Sequence, residues 1–257
     1  MEGHPMKSIY DCYTLNNGVQ IPCTAYGTYK AAAGQTDEIL FTAIQAGYRC
    51  FDTASFYGTE SYLAEAIQKS GLPRKDFFLT SKVWKTEMGY SAAKEAFYRT
   101  LENLKTDYLD LYLIHWPLPS PDYTDWRQLD VDTWKAMEEL YQEGRIRALG
   151  LSNFLPHHIE NIIHHCEVLP SVNQIESGLH TAGCDFLLQG TSYSSTGMES
   201  PWKNKSTWRF SDFRACREVS RLSRTDLSAL CCPERSYPSC ESFFFRTHEG
   251  KSRSVFF

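Results

Sequence analysis

Six short apolar runs, separated by stretches of helical spacing, succeed one another between Cys23 and Glu176: CTAYGTYK, GYRCFD, DFFLTSKV, YLDLYLIHWP, IRALGLSN and PSVNQIE. Such regular alternation restricts a chain to a parallel sheet flanked by helices, and its regularity favours a barrel over an open sheet. The intervening segments carry helix signals. Thr36 to Ala46 stops at Gly47, YLAEAIQKS at Gly71 and DTWKAMEELYQEG at Gly144, Ser91 to Leu104 forms a further helix, and HHIENIIHHC is opened by Pro156. Ahead of them TLNNGVQIP has an Asn-Gly turn between apolar flanks, a hairpin signal, and in a barrel that hairpin would cap the bottom. The polar, proline-containing LPSPDYTDWRQLDVD reads as a loop over the mouth. At 257 residues the chain has the length of one (β/α)8 barrel, about 250 residues. Only six units are legible, so the expected fold is an α/β (β/α)8 TIM barrel left incomplete.

Three of the runs end on residues that carry chemistry. FDTASFYGTE delivers Asp52 to a strand end and Tyr57 to the turn after it, LTSKVW ends a strand with Lys82, and LYLIHWP ends one with His115. In a barrel of alternating strands and helices, the carboxyl ends of the strands converge on one mouth, where active sites are built. Singly, each residue has a plainer reading: Tyr57 as a loop aromatic, His115 as a core histidine before Trp-Pro. The spacing at successive strand ends favours a shared site. His157, His158, His164 and His165 lie as pairs in a helix, not in the HExxH pattern, and read as solvated helix histidines.

Composition narrows the partners. A net charge of −5 with no basic cluster gives no case for nucleic acid. No apolar run is long enough to span a membrane, and MEGHPMKSIYDCYTL lacks the apolar core of a signal peptide. Nine cysteines, an odd number without an export signal, favour reduced thiols and a cytoplasmic location. No CxxC occurs, and no metal site is expected.

The pattern then stops. Isoleucine occurs eleven times before residue 178 and not once after it, while serine rises from ten in the first 177 residues to fourteen in the last 80. No sustained period-2 or period-3.6 order remains there. The expected organisation is a partial barrel domain over 1–177 and an aberrant, largely disordered tail over 178–257. Without a seventh and eighth parallel strand, the first and sixth barrel strands are expected to present open edges.

LNNGVQIP, Gly27-Thr28-Tyr29, FDTASFYGTE, LTSKVW, LYLIHWP, GRIRALGLSNF and SVNQIE occur in this order over residues 13–177, and together they resemble the aldo-keto reductases. Ala25 stands where that family usually has glycine. The resemblance implies NADPH-dependent reduction of small aldehydes or ketones to alcohols. Carbonyl reduction needs hydride on carbon and a proton on oxygen. A tyrosine, pKa about 10, is a weak acid at neutral pH unless its anion is stabilised. The family pattern assigns Tyr57 as proton donor, Lys82 as its ammonium partner, Asp52 as the carboxylate paired with Lys82, and His115 as the group that orients the substrate carbonyl. It also implies cofactor contacts from Gly27, Thr28, Asp52, Ser152, Asn153 and Gln174, with Trp84 and Trp116 walling the substrate pocket. Plain strand termination by Ser152-Asn153 and core packing of the two tryptophans are the simpler readings. A monomer is expected of the intact form. The rival expectation is a non-catalytic barrel that binds a nicotinamide cofactor or a protein partner.

The tail departs from the family, and the genetic code suggests how. Read one nucleotide later, permitted codons for residues 179–203 can give FIQQDAIFYCKEHRIQVQAWSPLGK, similar to the family's seventh-strand region. Two positions there are forced: Met198-Glu199 must yield Trp, and Trp202-Lys203 must yield Gly. In the same frame residues 233–241 can read QNGVIPLAK and the end can read ERMKENLEVFF, similar to the family's cofactor-phosphate loop and closing segment. A frame slip near Gly178 is therefore expected, in preference to a genuine serine-rich tail.

Overall fold

The structure, a computed structural model, describes residues 10–31, 36–117, 124–176, 241–246 and 252–256. A hairpin of β1 (Cys12–Thr14) and β2 (Gln20–Pro22) precedes the barrel strands. These are β3 (Tyr26–Gly27), β4 (Cys50–Asp52), β5 (Phe78–Val83), β6 (Leu111–Ile114), β7 (Leu149–Ser152) and β8 (Val172–Glu176). All six pair in parallel and in chain order. Between them lie α1 (Thr36–Gln45), α2 (Glu60–Ser70), α3 (Tyr90–Leu104), α4 (Trp126–Gln142) and α5 (Pro156–Ile163). This is the sheet of an incomplete (β/α)8 barrel. The helices form because their apolar residues recur at three- and four-residue spacing and meet the sheet. Ala93, Ala96, Phe97, Leu101 and Leu104 make that stripe on α3, and Val131, Trp134, Met137 and Leu140 make it on α4. Pro156 opens α5 where a missing N–H costs nothing.

The hairpin closes the bottom, as its sequence suggests. Gly18 has φ +86 in the turn, and Leu15 and Ile21 enter one core with Ala25, Cys50, Phe78, Leu111, Leu113, Ala148 and Val172. Asn17 Nδ2 donates to Arg147 O at 2.9 Å, and Ser171 Oγ donates to Asn16 Oδ1 at 2.5 Å, tying the hairpin to the chain entering β7 and β8. Nearby, the buried Asp110 carboxylate accepts from Arg74 at 2.8 Å and Arg147 at 2.7 Å, so its charge is matched inside the fold. In the same core Gly150 leaves no room for a side chain: a Cβ there would lie 2.6 Å from Leu113 Cδ2 and 2.9 Å from Val172 O. Gly150→Ala is expected to lower stability by about 1–3 kcal/mol through overpacking. Urea melts of the two proteins check this.

Three expectations are corrected. The stretch Trp126–Asp132, taken as loop, is the first half of α4. Its polar residues mask a helical face on which Asp130 and Val131 are buried, and Gln128 donates to Asp132 one turn on at 2.8 Å. His158 is not solvated. It is buried at the start of α5, where its Nδ1 accepts the Leu155 N–H at 3.1 Å. The tail is not without strands either: β9 (Glu241–Arg246) pairs antiparallel with β8, and β10 (Ser252–Phe256) pairs antiparallel with β9. The edge of the sixth barrel strand is therefore covered, and an eight-stranded sheet runs from β10 to β3. No seventh parallel strand is among the described residues, and the domain boundary expected near residue 177 lies outside them, as does the rest of the tail.

Candidate active site

Strand register brings the strand ends together. Gly27 lies beside Asp52, and Asp52 beside Thr80, so Asp52 closes β4 at the level from which β5 runs on to Lys82. His115 follows β6 directly, its N–H donating to Val83 O at 3.1 Å. Tyr57 ends a one-turn 3-10 helix, Ser55–Tyr57, that returns the chain over β5; Gly58 closes the turn at φ +65, a conformation glycine adopts without cost.

The four side chains form one chain of contacts. Lys82 is fully buried and ion-paired with the buried Asp52. Its Nζ also donates to Thr53 O at 3.2 Å and contacts the Tyr57 hydroxyl at 3.4 Å. The same hydroxyl lies 3.3 Å from His115 Nε2. Burial, with the Lys82 charge adding to it, pushes the His115 pKa down to about 2. The imidazole is therefore neutral throughout the ordinary pH range. Chemically, this is a phenol held between an ammonium and a neutral imidazole, with a carboxylate matching the ammonium.

Buried neutral histidine has a consequence for stability. An unfolded histidine binds its proton near pH 6.5, whereas folded His115 does so only near 2. Between these values the unfolded chain holds more protons, so stability is lost as pH falls below about 6.5, by up to about 1.4 kcal/mol per unit for one such group. His158, pushed down to about 4 first by burial, acts in the same direction. Urea melts between about pH 7 and 5 should show a shallower pH slope in His115→Gln than in the parent; equal slopes would refute this.

The remaining sequence candidates lie around this centre. Ser152 ends β7 beside Gln174 of β8, and both are 2% exposed. Asn153 takes a left-handed conformation at φ +62, and its Nδ2 donates to His115 O and to Ser152 Oγ, each at 3.1 Å. Thr28 is buried and shares a hydroxyl contact of 2.8 Å with Thr59. At Gly27 no atom of the described residues lies within 4 Å of where a Cβ would stand, so among them this strand end borders open space, not a packed neighbour. Trp84 meets His115 edge to face, ring centroids 4.9 Å apart, while Trp116 is 44% exposed. Tyr29 packs against the Tyr57 ring with centroids 4.9 Å apart.

Sequence reasoning missed the second layer. Glu60, buried at the start of α2, accepts from Ser81 at 2.7 Å, Thr100 at 2.9 Å and Asn103 at 3.0 Å, fastening β5 and α3 just behind Lys82. Glu87 accepts from Ser55 and from the Trp84 backbone. The signal was present for Glu87 in its place three residues after Trp84, where a carboxylate reaches back to a turn's first N–H. Among the described residues no group of three or more His, Cys, Asp and Glu side chains could hold a metal ion, and no described helix is long and apolar enough to cross a membrane.

Comparison with known proteins supplies the family context. The profile of the Aldo/keto reductase family matches residues 25–180. The chain is 42% identical over 172 residues to the 9,11-endoperoxide prostaglandin H2 reductase of Trypanosoma cruzi (strain CL Brener), covering 66% of this chain and 58% of that protein. It is 43% identical over 170 residues to the glyoxal reductase of Bacillus subtilis (strain 168), covering 66% and 59%. Among solved structures, an aldo/keto reductase from Brucella melitensis superposes with a TM-score of 0.61 at 40% identity, covering 67% of this chain and 64% of that one. A Bombyx mori aldo-keto reductase in complex with NADP gives 0.58 at 33% identity, covering 66% and 59%. The chain thus spans less than two thirds of the length of each of these relatives.

Proposed function

The chain belongs to the aldo/keto reductase family, and from that premise we propose that its site is built for NADPH-dependent reduction of small aldehydes or ketones to alcohols. The observation that carries this reading is the unbroken run Asp52–Lys82–Tyr57–His115, with the Tyr57 hydroxyl 3.4 Å from Lys82 Nζ and 3.3 Å from His115 Nε2. Tyr57 gives its proton to the carbonyl oxygen. The Lys82 ammonium, held by Asp52, stabilises the phenolate left behind. His115, neutral, orients the carbonyl against the hydroxyl, and Trp84 and Trp116 bound the substrate.

A nicotinamide fits the neighbouring residues. Its carboxamide needs both donors and acceptors, which Ser152, Asn153 and Gln174 provide at adjoining strand ends. The open space at Gly27, beside Thr28 and Asp52, leaves room for the cofactor along the first two strands. When bound, the cofactor supplies the hydride. Its 2′-phosphate is a different matter, because a family-like phosphate loop can be read only in the shifted frame that we infer for the tail. We therefore infer that the 257-residue chain is impaired as a reductase, and that residues 1–177 retain the chemistry. We infer a cytoplasmic protein, a reading supported by the free thiols of Cys12, Cys23, Cys50 and Cys166, and we propose a monomer for the intact form.

The test uses a completed protein, residues 1–177 joined to the matching remainder of the Bacillus subtilis glyoxal reductase. Aldehyde-dependent NADPH consumption is expected, with a saturable fluorescence titration of NADPH. Saturable binding without consumption would replace this reading with that of a non-catalytic nicotinamide-binding barrel.

A further inference from the structure

The geometry points to Glu87 as a positioning residue that fixes Tyr57 over Lys82, an inference that rests on the catalytic reading of Tyr57 above. Glu87 ends the short 3-10 turn Lys85–Glu87 that follows β5. Its Oε2 accepts two hydrogen bonds from two different segments: the Ser55 hydroxyl at 2.7 Å and the Trp84 N–H at 3.1 Å. Ser55 opens the turn that carries Tyr57, and Trp84 follows the strand that carries Lys82. One carboxylate oxygen therefore joins the donor's turn to the ammonium's strand. Phe56 and Trp84 reinforce the junction by stacking, ring centroids 4.0 Å apart and planes 15° from parallel. From outside, Arg99 of α3 pairs with the other oxygen, Oε1.

The Ser55 hydroxyl has one proton and two acceptors within reach, since Lys82 O lies at 3.2 Å. The shorter contact to an ionised carboxylate takes it. Within its own turn Tyr57 has a backbone bond to Ala54 O at 3.0 Å, and the residue before the turn gives no side-chain cap. The bond from Ser55 to Glu87 thus anchors the first residue of the turn to the segment that follows β5. The contacts of 3.3–3.4 Å made by the Tyr57 hydroxyl leave little tolerance. A displacement of about 1 Å at a reacting group can cost on the order of 100-fold in rate. Glu60, though more deeply buried, has its side-chain hydrogen bonds to Ser81, Thr100 and Asn103, in β5 and α3.

The test has two arms. In the full chain, hydrogen exchange read by mass spectrometry should rise about tenfold or more in both 53–58 and 83–88 for Glu87→Ala, with 109–115 unchanged. In the completed protein, Glu87→Ala and Ser55→Ala should each lower kcat about tenfold, with KM for NADPH within about twofold. The double variant should be no worse than the poorer single one, because both remove the same junction. Glu87→Gln, which keeps an acceptor of the same reach, should restore most of kcat, and Arg99→Ala should leave it within about twofold. Unchanged exchange in both segments overturns the junction whatever the activity. Raised exchange with unchanged kcat overturns the positioning role. A completed parent that reduces no aldehyde overturns the catalytic reading and this role with it, while the exchange arm still decides whether the junction exists.

Discussion

Tyr57→Phe in the completed protein should lower turnover by about 10²–10⁴-fold while leaving NADPH affinity within about twofold. The substitution removes one oxygen from a ring that keeps its packing against Tyr29 and His115. Fold and cofactor contacts should therefore survive. Only the proton source for the carbonyl oxygen is lost, together with the groups that act through it. Because Lys82 and His115 both meet this hydroxyl, Lys82→Met should add little to the loss already caused by Tyr57→Phe. Single-turnover kinetics at saturating NADPH separate chemistry from binding. Wild-type turnover in Tyr57→Phe would remove the acid from Tyr57 and with it the reason for the buried Lys82–Asp52 pair.

The second large effect concerns the chain as it stands. Residues 1–257 should show no saturable NADPH binding at concentrations that saturate the completed protein, and no measurable aldehyde reduction. A cofactor phosphate is held by charge-assisted contacts from Arg or Lys. Each such contact contributes about 1.5–3 kcal/mol, so losing two weakens binding by about 10²–10⁴-fold. The tail's arginines occur in no sequence arrangement recognisable as a phosphate site, and the family-like QNGVIPLAK and ERMKENLEVFF can be read only if the tail is taken one nucleotide later, as the proposed frame slip requires. The strand that follows β8 in the sheet runs antiparallel, where the barrel would continue with a parallel one. Covering that edge removes a site for aggregation but does not rebuild a cofactor loop. Fluorescence titration of both proteins side by side gives the answer, and equal affinity would refute the impairment.

Much of this was legible because strand ends are punctuated. Alternating apolar runs placed Asp52, Lys82 and His115 at successive strand ends, and a parallel sheet has one carboxyl edge on which they must meet. Tyr57 was legible as the turn residue five positions after Asp52. What escaped were features set by the surroundings of a residue and not by its neighbours in sequence. His158 looked like any helix histidine until the burial of α5's first turn gave it the Leu155 N–H. The prolines and polar residues of LPSPDYTDWRQLDVD disguised the start of α4 as loop, since a residue such as Asp130 reads as exposed until the fold buries it. The Ser55–Glu87 contact joins residues 32 apart in sequence, and neither has a motif that names the other. In the tail, averaging serine over 80 residues hid ESFFFR and SRSVF, short runs whose Phe and Val suit a strand once an edge is available.

The most direct test of the catalytic account is isotopic. The completed protein is supplied with NADPH deuterated at the transferable position of the nicotinamide and a simple aldehyde, and the alcohol is examined by mass spectrometry. One deuterium on the carbinol carbon for each cofactor consumed is the predicted result, with the yield abolished in Tyr57→Phe. An alcohol without deuterium, or cofactor bound and never consumed, would contradict it.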